Sequence, residues 1–288
     1  MISVYLQGGL GNQLFQIFTC ISLALKQNTS FKLPLYNQNT PHSVSPTGDP
    51  RPTYWKTILQ HLKPYVSHNS DSLSIKPIYR EKHFHYTPLP DEQNLLLYGY
   101  FQSYQYFEKY EQTIYDMIHL NDQKEEIKKK YNYNYEYTIS LHFRIGDYKL
   151  LSYHPIMDVS YYVNAIQYIF EQLQDTNKRY TILYFYEGKD KQIVMDNIEN
   201  IKNLLSYELN DRIVFEPIDT SIPDYEQLIL MSLCCHNIIA NSSFSWWGAY
   251  FNCNSEKIVC YPNIWFSDNK NEMDTMFPTE WKKIYNNN

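Results

Sequence analysis

The sequence predicts an α/β protein made of two Rossmann-like units with parallel sheets. Three observations predict it. The chain opens with a strand-like run at residues 2–6, a loop Gly8-Gly9-Leu10-Gly11-Asn12, and a helical pattern over 13–26. Strand, glycine loop and helix in succession are how such a unit begins. Apolar strand-like runs then alternate with helical patterns through both halves, which argues for parallel sheets joined by helices. The length of 288 residues corresponds to about two domains.

The elements follow in order. Leu14, Phe15, Phe18, Ile21 and Leu25 recur at helical spacing over 13–26. Residues 36–52 are rich in Asn, Ser, Thr and Pro, and 67–74 are similarly polar, so both read as surface loops. Residues 95–100 read as a buried strand. A charged helix starts near Asn121 or Asp122, either of which would serve as its N-cap, and runs to about Tyr131. The domain boundary is expected there, giving an N-terminal unit 1–130 and a C-terminal unit 131–288. In the second unit, 137–143 and 180–186 read as strands, and 159–173, 191–203 and 224–234 as helices. Shorter strands are expected at 212–215, 237–240 and 258–261.

Composition excludes several function classes. Net charge is −6 and there is no basic stripe, so nucleic acid is not an expected partner. No stretch reaches the roughly 18 to 20 apolar residues that a membrane span needs. The N-terminus lacks the basic and apolar regions of a signal peptide, so a cytoplasmic protein is expected. The five cysteines, Cys20, Cys234, Cys235, Cys253 and Cys260, fit no zinc or disulfide spacing and are expected to be buried free thiols. Arginine is scarce, which draws attention to Arg144 inside a tight Gly/Asp motif.

Three constellations carry chemistry. In the first, Gly9 and Gly11 allow close backbone approach, Asn12 and Gln13 add amides, and the following helix points its N-terminus at the loop. This suits anion binding, although a plain tight turn has the same spacing. No Lys-Ser/Thr follows, so it is not a P-loop. Leu14 stands at the third glycine position of a dinucleotide fingerprint, which argues against an oxidoreductase. The second constellation is His142-Phe143-Arg144-Ile145-Gly146-Asp147-Tyr148, at the carboxyl end of a strand, where ligands sit in open α/β sheets. Arg144 offers a donor fork matched to phosphate, and Asp147 can orient it or accept a proton. A structural Arg–Asp pair is the competing reading. The third is Asn241-Ser242-Ser243-Phe244-Ser245-Trp246-Trp247-Gly248. Its hydroxyls, amide and helix start can hold phosphate or ribose oxygens, and Phe244 can pack on a base or sugar face. A helix cap followed by core tryptophans explains the same residues, and both readings can hold together.

These three motifs resemble those of the α-1,2-fucosyltransferase family, as do Gly99-Tyr100-Phe101-Gln102-Ser103 and Tyr261-Pro262-Asn263-Ile264-Trp265-Phe266. Order and spacing match over nearly the whole chain. The resemblance implies the GT-B type, with two Rossmann-like domains facing a cleft. It implies an inverting transfer of fucose from GDP-β-L-fucose to a galactoside-type glycan acceptor, at the 2-hydroxyl of a terminal galactose. No cofactor and no metal are implied, and the sequence has no Asp-x-Asp. The catalytic residues are then Arg144, on the donor diphosphate, and Asp147. The donor site comprises Gly9, Gly11, Asn12, Gln13, His142, Arg144, Asn241, Ser242, Ser243, Phe244 and Ser245. His142 and His154 are further candidates for a general base.

Two positions depart from the family pattern. Ile145 stands where a second Arg is usual, and Tyr186-Glu187-Gly188-Lys189-Asp190 stands where relatives carry Phe-Ser-Asp-Asp. Either departure suits a donor built on another GDP-sugar, or a relative that binds nucleotide or carbohydrate without turnover.

Overall fold

The structure, a computed structural model, describes residues 1–35, 51–67, 77–175, 177–267 and 273–286. Most of the two polar loops, 36–50 and 68–74, lies outside the described residues. The chain divides into two compact units. The division falls after Glu125, inside a helix, where the sequence suggested 130, and residues 273–278 return to the first unit.

The first unit holds β1 (Ile2–Val4), α1 (Leu10–Lys26), β2 (Phe31–Pro34), β3 (Val66–Ser67), β4 (Ile78–Arg80), β5 (Leu95–Tyr98) and α2 (Glu111–Met117). Helix α3 (Leu120–Lys130) leads into the second unit. The sheet order is β3-β2-β1-β5-β4 and every pair is parallel. Helix α1 is apolar enough to be buried on nearly all sides, with Leu14, Phe15, Ile17 and Phe18 fully enclosed. Such a helix is stabilised by burial more than by its propensity. Asn121 and Asp122 do not cap α3. The helix begins one residue earlier, after His119 in a left-handed turn, so both lie in its first turn.

The second unit holds β6 (Thr138–His142), α4 (Val159–Gln172), β7 (Tyr180–Phe185), α5 (Lys191–Leu204), α6 (Tyr207–Arg212) and β8 (Ile213–Pro217). It continues with α7 (Asp224–Leu233), β9 (His236–Ile238), α8 (Ser243–Tyr250), β10 (Val259–Pro262) and β11 (Lys282–Ile284). The sheet order is β11-β10-β9-β6-β7-β8, again all parallel. Counted within the unit, that is the doubly wound order of a dinucleotide-type Rossmann sheet. The strand order reverses between β6 and β9, and the carboxyl ends of those two strands carry the second and third motifs of the sequence. In the first unit the reversal falls between β1 and β5, whose ends carry the glycine loop and Gly99–Ser103. The expected fold, two parallel α/β units of the kind that make up a GT-B protein, is what forms.

Buried tyrosines hold the second crevice in shape. The Tyr162 hydroxyl donates to the His142 carbonyl at 3.2 Å, and Tyr161 donates to the Ile239 and Cys260 carbonyls. Each ring fills core while its polar tip donates to backbone carbonyls in or beside the sheet strands. All five cysteines are free thiols; four are buried, but Cys253 is exposed, against expectation. Among the described residues, no helix is long and apolar enough to cross a membrane.

Candidate active site

In the second unit, β6 ends at His142 and the chain turns at once. Gly146 takes a φ of +28°, a region that side-chain-bearing residues avoid. The turn brings Arg144 and Asp147 back together, with Nη2 on Asp147 Oδ1. The other arm of the guanidinium, Nη1, meets Glu187 Oε1 at the end of β7. The Arg144 guanidinium also lies 4.9 Å above the Tyr148 ring, and the Tyr148 hydroxyl donates to the Asn241 carbonyl at 2.9 Å. The second and third motifs are therefore physically joined at the strand reversal.

A second ion pair braces the same turn. Asp190 is buried; its carboxylate accepts from the Gly146 amide at 2.8 Å and from Lys149 Nζ at 2.7 Å. Glu187 and Asp190 are the carboxylates of the loop expected to depart from the family pattern, and both brace this turn. Neither the pairing of Glu187 with Arg144 nor that of Asp190 with Lys149 was identifiable from sequence, because both depend on β6 and β7 lying side by side. Ile145 is only 2% exposed. The position of the expected second cation thus faces the core here.

His142 is buried, with its ring 5.7 Å from that of Phe244 and its Nδ1 without a hydrogen-bond partner. Burial, helped by the charge of Arg144, lowers its pKa to about 3, so it is neutral at any working pH. His154 stacks on Tyr148 at 4.5 Å, and burial lowers its pKa too.

The third motif divides its labour. Ser242 caps α8 by accepting from the Phe244 amide, and Ser245 donates to the Ser242 carbonyl. Asn241 spends its amide nitrogen on the Pro155 and Trp265 carbonyls, while its Oδ1 is buried without a partner. Asn241, Ser242 and Ser245 are buried, and only Ser243 and Phe244 are partly open. Trp246 and Trp247 are both fully enclosed, so the core reading holds for both tryptophans.

The first unit gathers a different set. Gly8 has a φ of +78°, which turns the chain from β1 into α1, and Gly9 forms the start of the helix. Gln13 is buried and holds the loop closed, donating to the Gly8 and Pro52 carbonyls at 3.0 Å each. Asn12 Oδ1 accepts from Gln102 Nε2 at 2.8 Å, joining the glycine loop to the end of β5. Gly11 is buried in the first turn of α1. Two residues were not singled out from the sequence. Arg51 places Nη1 2.9 Å from where a Gly9 side chain would begin. Glu81 accepts from the Tyr100 and Phe101 amides and so fixes a turn in which Phe101 has a φ of 53°. Among the described residues, no cluster of three or more His, Cys, Asp or Glu is arranged to hold a metal ion.

Comparison with known proteins agrees on the class. The family model described as "Glycosyl transferase family 11" matches residues 60–285. An Escherichia coli O-antigen biosynthesis glycosyltransferase, WbnK, is 28% identical over 94% of this chain and 97% of its own. An Escherichia coli α-1,2-colitosyltransferase is 25% identical over 97% of each. A Caenorhabditis elegans galactoside 2-α-L-fucosyltransferase is 24% identical over 99% of this chain and 79% of its own.

Proposed function

The chain belongs to glycosyl transferase family 11 and is a glycosyltransferase, and from that premise we propose that it moves L-fucose from GDP-β-L-fucose to the 2-hydroxyl of a terminal galactose. One observation carries the reading: a lone arginine, steered by two carboxylates, at the strand reversal of a doubly wound sheet. That is where a nucleotide diphosphate binds in such sheets, and a guanidinium matches its oxygens.

In this reading the transfer is one displacement with inversion. The acceptor oxygen bonds to C1 of fucose while the C1–O bond to the β-phosphate breaks. The bonding pair leaves on the phosphate, and the acceptor's proton goes to a base or to solvent. Charge grows on the phosphate, so preorganised donors there lower the barrier most. Arg144 is the donor assigned to that task. Asp147 orients it, through the ion pair that the tight turn imposes. His142 and Phe244 line the nucleotide side, with Ser243 at the open end of α8. Gly9, Gly11, Asn12 and Gln13 shape the glycine loop of the first unit. Neither metal nor cofactor takes part.

A transferase for another GDP-sugar is the second reading, favoured by Ile145 and by the 186–190 loop. Incubation with GDP-fucose, with a GDP-linked colitose and with a small panel of galactosides separates them. Mass spectrometry reads the transferred sugar and NMR reads its linkage. Transfer of fucose to O2 of galactose is expected. Transfer of a different sugar, or nucleotide binding without transfer, overturns the first reading. Activity that survives EDTA and dialysis supports the metal-free mechanism.

A further inference from the structure

The charges around Arg144 balance one another. Three cations, Arg144, Lys149 and Lys189, are joined in ion pairs to three carboxylates, Asp147, Asp190 and Glu187. A diphosphate added to this set meets a carboxylate on each arm of the guanidinium, and like charges forced together cost affinity. Tight binding requires one carboxylate to leave.

Geometry selects which one. The Asp147 and Asp190 side chains are 7% and 2% exposed, while that of Glu187 is 39% exposed. Asp190 is further held by the Gly146 amide, and Asp147 lies three residues from Arg144 on one tight turn. Glu187 already has a second partner, since its Oε2 lies 2.9 Å from the half-exposed Lys189. It can leave Arg144 without losing its ion pair.

We propose that Glu187 occupies the phosphate-binding arm of Arg144 until the donor diphosphate displaces it toward Lys189, so that Glu187 sets the enzyme's affinity for its donor. This rests on the assignment of Arg144 to a diphosphate. Glu187 keeps Arg144 oriented and neutralised between turnovers.

The test is calorimetric titration of the full chain with GDP and, separately, with inorganic pyrophosphate. The proteins are wild type, Glu187→Gln, Arg144→Ala and the double variant, with thermal melts confirming that each is folded. Glu187→Gln is expected to bind GDP roughly tenfold tighter and to lower the donor KM by a similar factor. The gain should vanish in the Arg144→Ala background. Unchanged or weaker binding by Glu187→Gln overturns the proposal, and so does a gain that persists without Arg144. Tighter pyrophosphate binding by Glu187→Gln with no GDP binding supports the role of Glu187 but overturns the guanine-nucleotide reading. No binding of either probe to wild type and Glu187→Gln overturns both.

Discussion

The two sheets reverse their strand order at equivalent places, yet the crevices there differ in chemistry. In the second unit the strand ends hold a charged set, Arg144 between Asp147 and Glu187, with Lys149 on Asp190. In the first unit they hold amides, with Gln102 on Asn12 and Gln13 bridging two carbonyls, around a turn clamped by Glu81. Topology supplies the location in both cases. Side chains then decide what that location offers: ion pairs in the second unit, amide hydrogen bonds in the first. The comparison breaks if charge removal in the second crevice is harmless, or if the first crevice tolerates loss of its clamp.

The largest effect is expected at Arg144. Arg144→Ala should lower kcat/KM by about a thousandfold, close to 4 kcal/mol of transition-state stabilisation, with the fold retained. Steady-state kinetics beside circular dichroism checks this. A folded variant with near-normal transfer would remove the diphosphate assignment.

Restoring the family's second arginine is the next test. Ile145 is enclosed by core, so Ile145→Arg should not rescue or improve the enzyme. It should cost about 3 kcal/mol of stability, as expected for a charge placed where it has neither water nor partner. Urea unfolding of both proteins measures it. A stable variant that binds GDP more tightly would mean that position 145 can reach the donor after all.

These two residues also mark how far the sequence could be read. Arg144 was legible because a strand-like run enters a Gly/Asp turn, a local pattern. The inward direction of Ile145 was not, since it depends on the exact end of β6. Likewise α1 and β7 stand out through long apolar periodicity. Strands β2, β3, β4 and β11 have two to four residues each, too few for any period to show. Glu187 and Glu81 were missed for a third reason. Their partners lie 43 and about 20 residues away, and only the parallel pairing of β6 with β7 and of β4 with β5 brings them together. The division of the third motif, with Ser242 and Ser245 spent on capping, was visible in outline as two compatible readings. Which hydroxyl did which was not.

In the first unit, Glu81 is the residue whose loss should be felt most. Glu81→Ala leaves the Tyr100 and Phe101 amides without their acceptor and releases a left-handed Phe101. A loss of about 2 kcal/mol is expected from the bared amides. Glu81→Gln keeps one acceptor oxygen and should recover part of it. Burial raises the Glu81 pKa while the two amide bonds oppose the shift. If both variants unfold as wild type does, the clamp is not what shapes this crevice.

The smallest effect is a pH dependence that belongs to the sheet of the second unit. Burial lowers the pKa of His142 to about 3 and that of His236 to about 4, both below the ordinary histidine value of about 6.5. His236 accepts at Nδ1 from the Ile258 amide at 3.0 Å, a bond that only its uncharged ring can accept. Below about pH 6.5 the unfolded chain takes up protons that the folded chain refuses. The stability from these rings is therefore whole above pH 6.5 and falls as the solution is acidified toward pH 4. Each ring contributes a slope of about 1.4 kcal/mol per pH unit inside that window. His236→Asn keeps an acceptor for the Ile258 amide and does not titrate. Denaturant unfolding at pH 7.5 and 5.5 should show a smaller acid loss for this variant than for wild type, by about 1 kcal/mol. Equal losses would mean that His236 is protonated in the folded protein, and with it that the strand ends of the second unit are wetter than their burial implies.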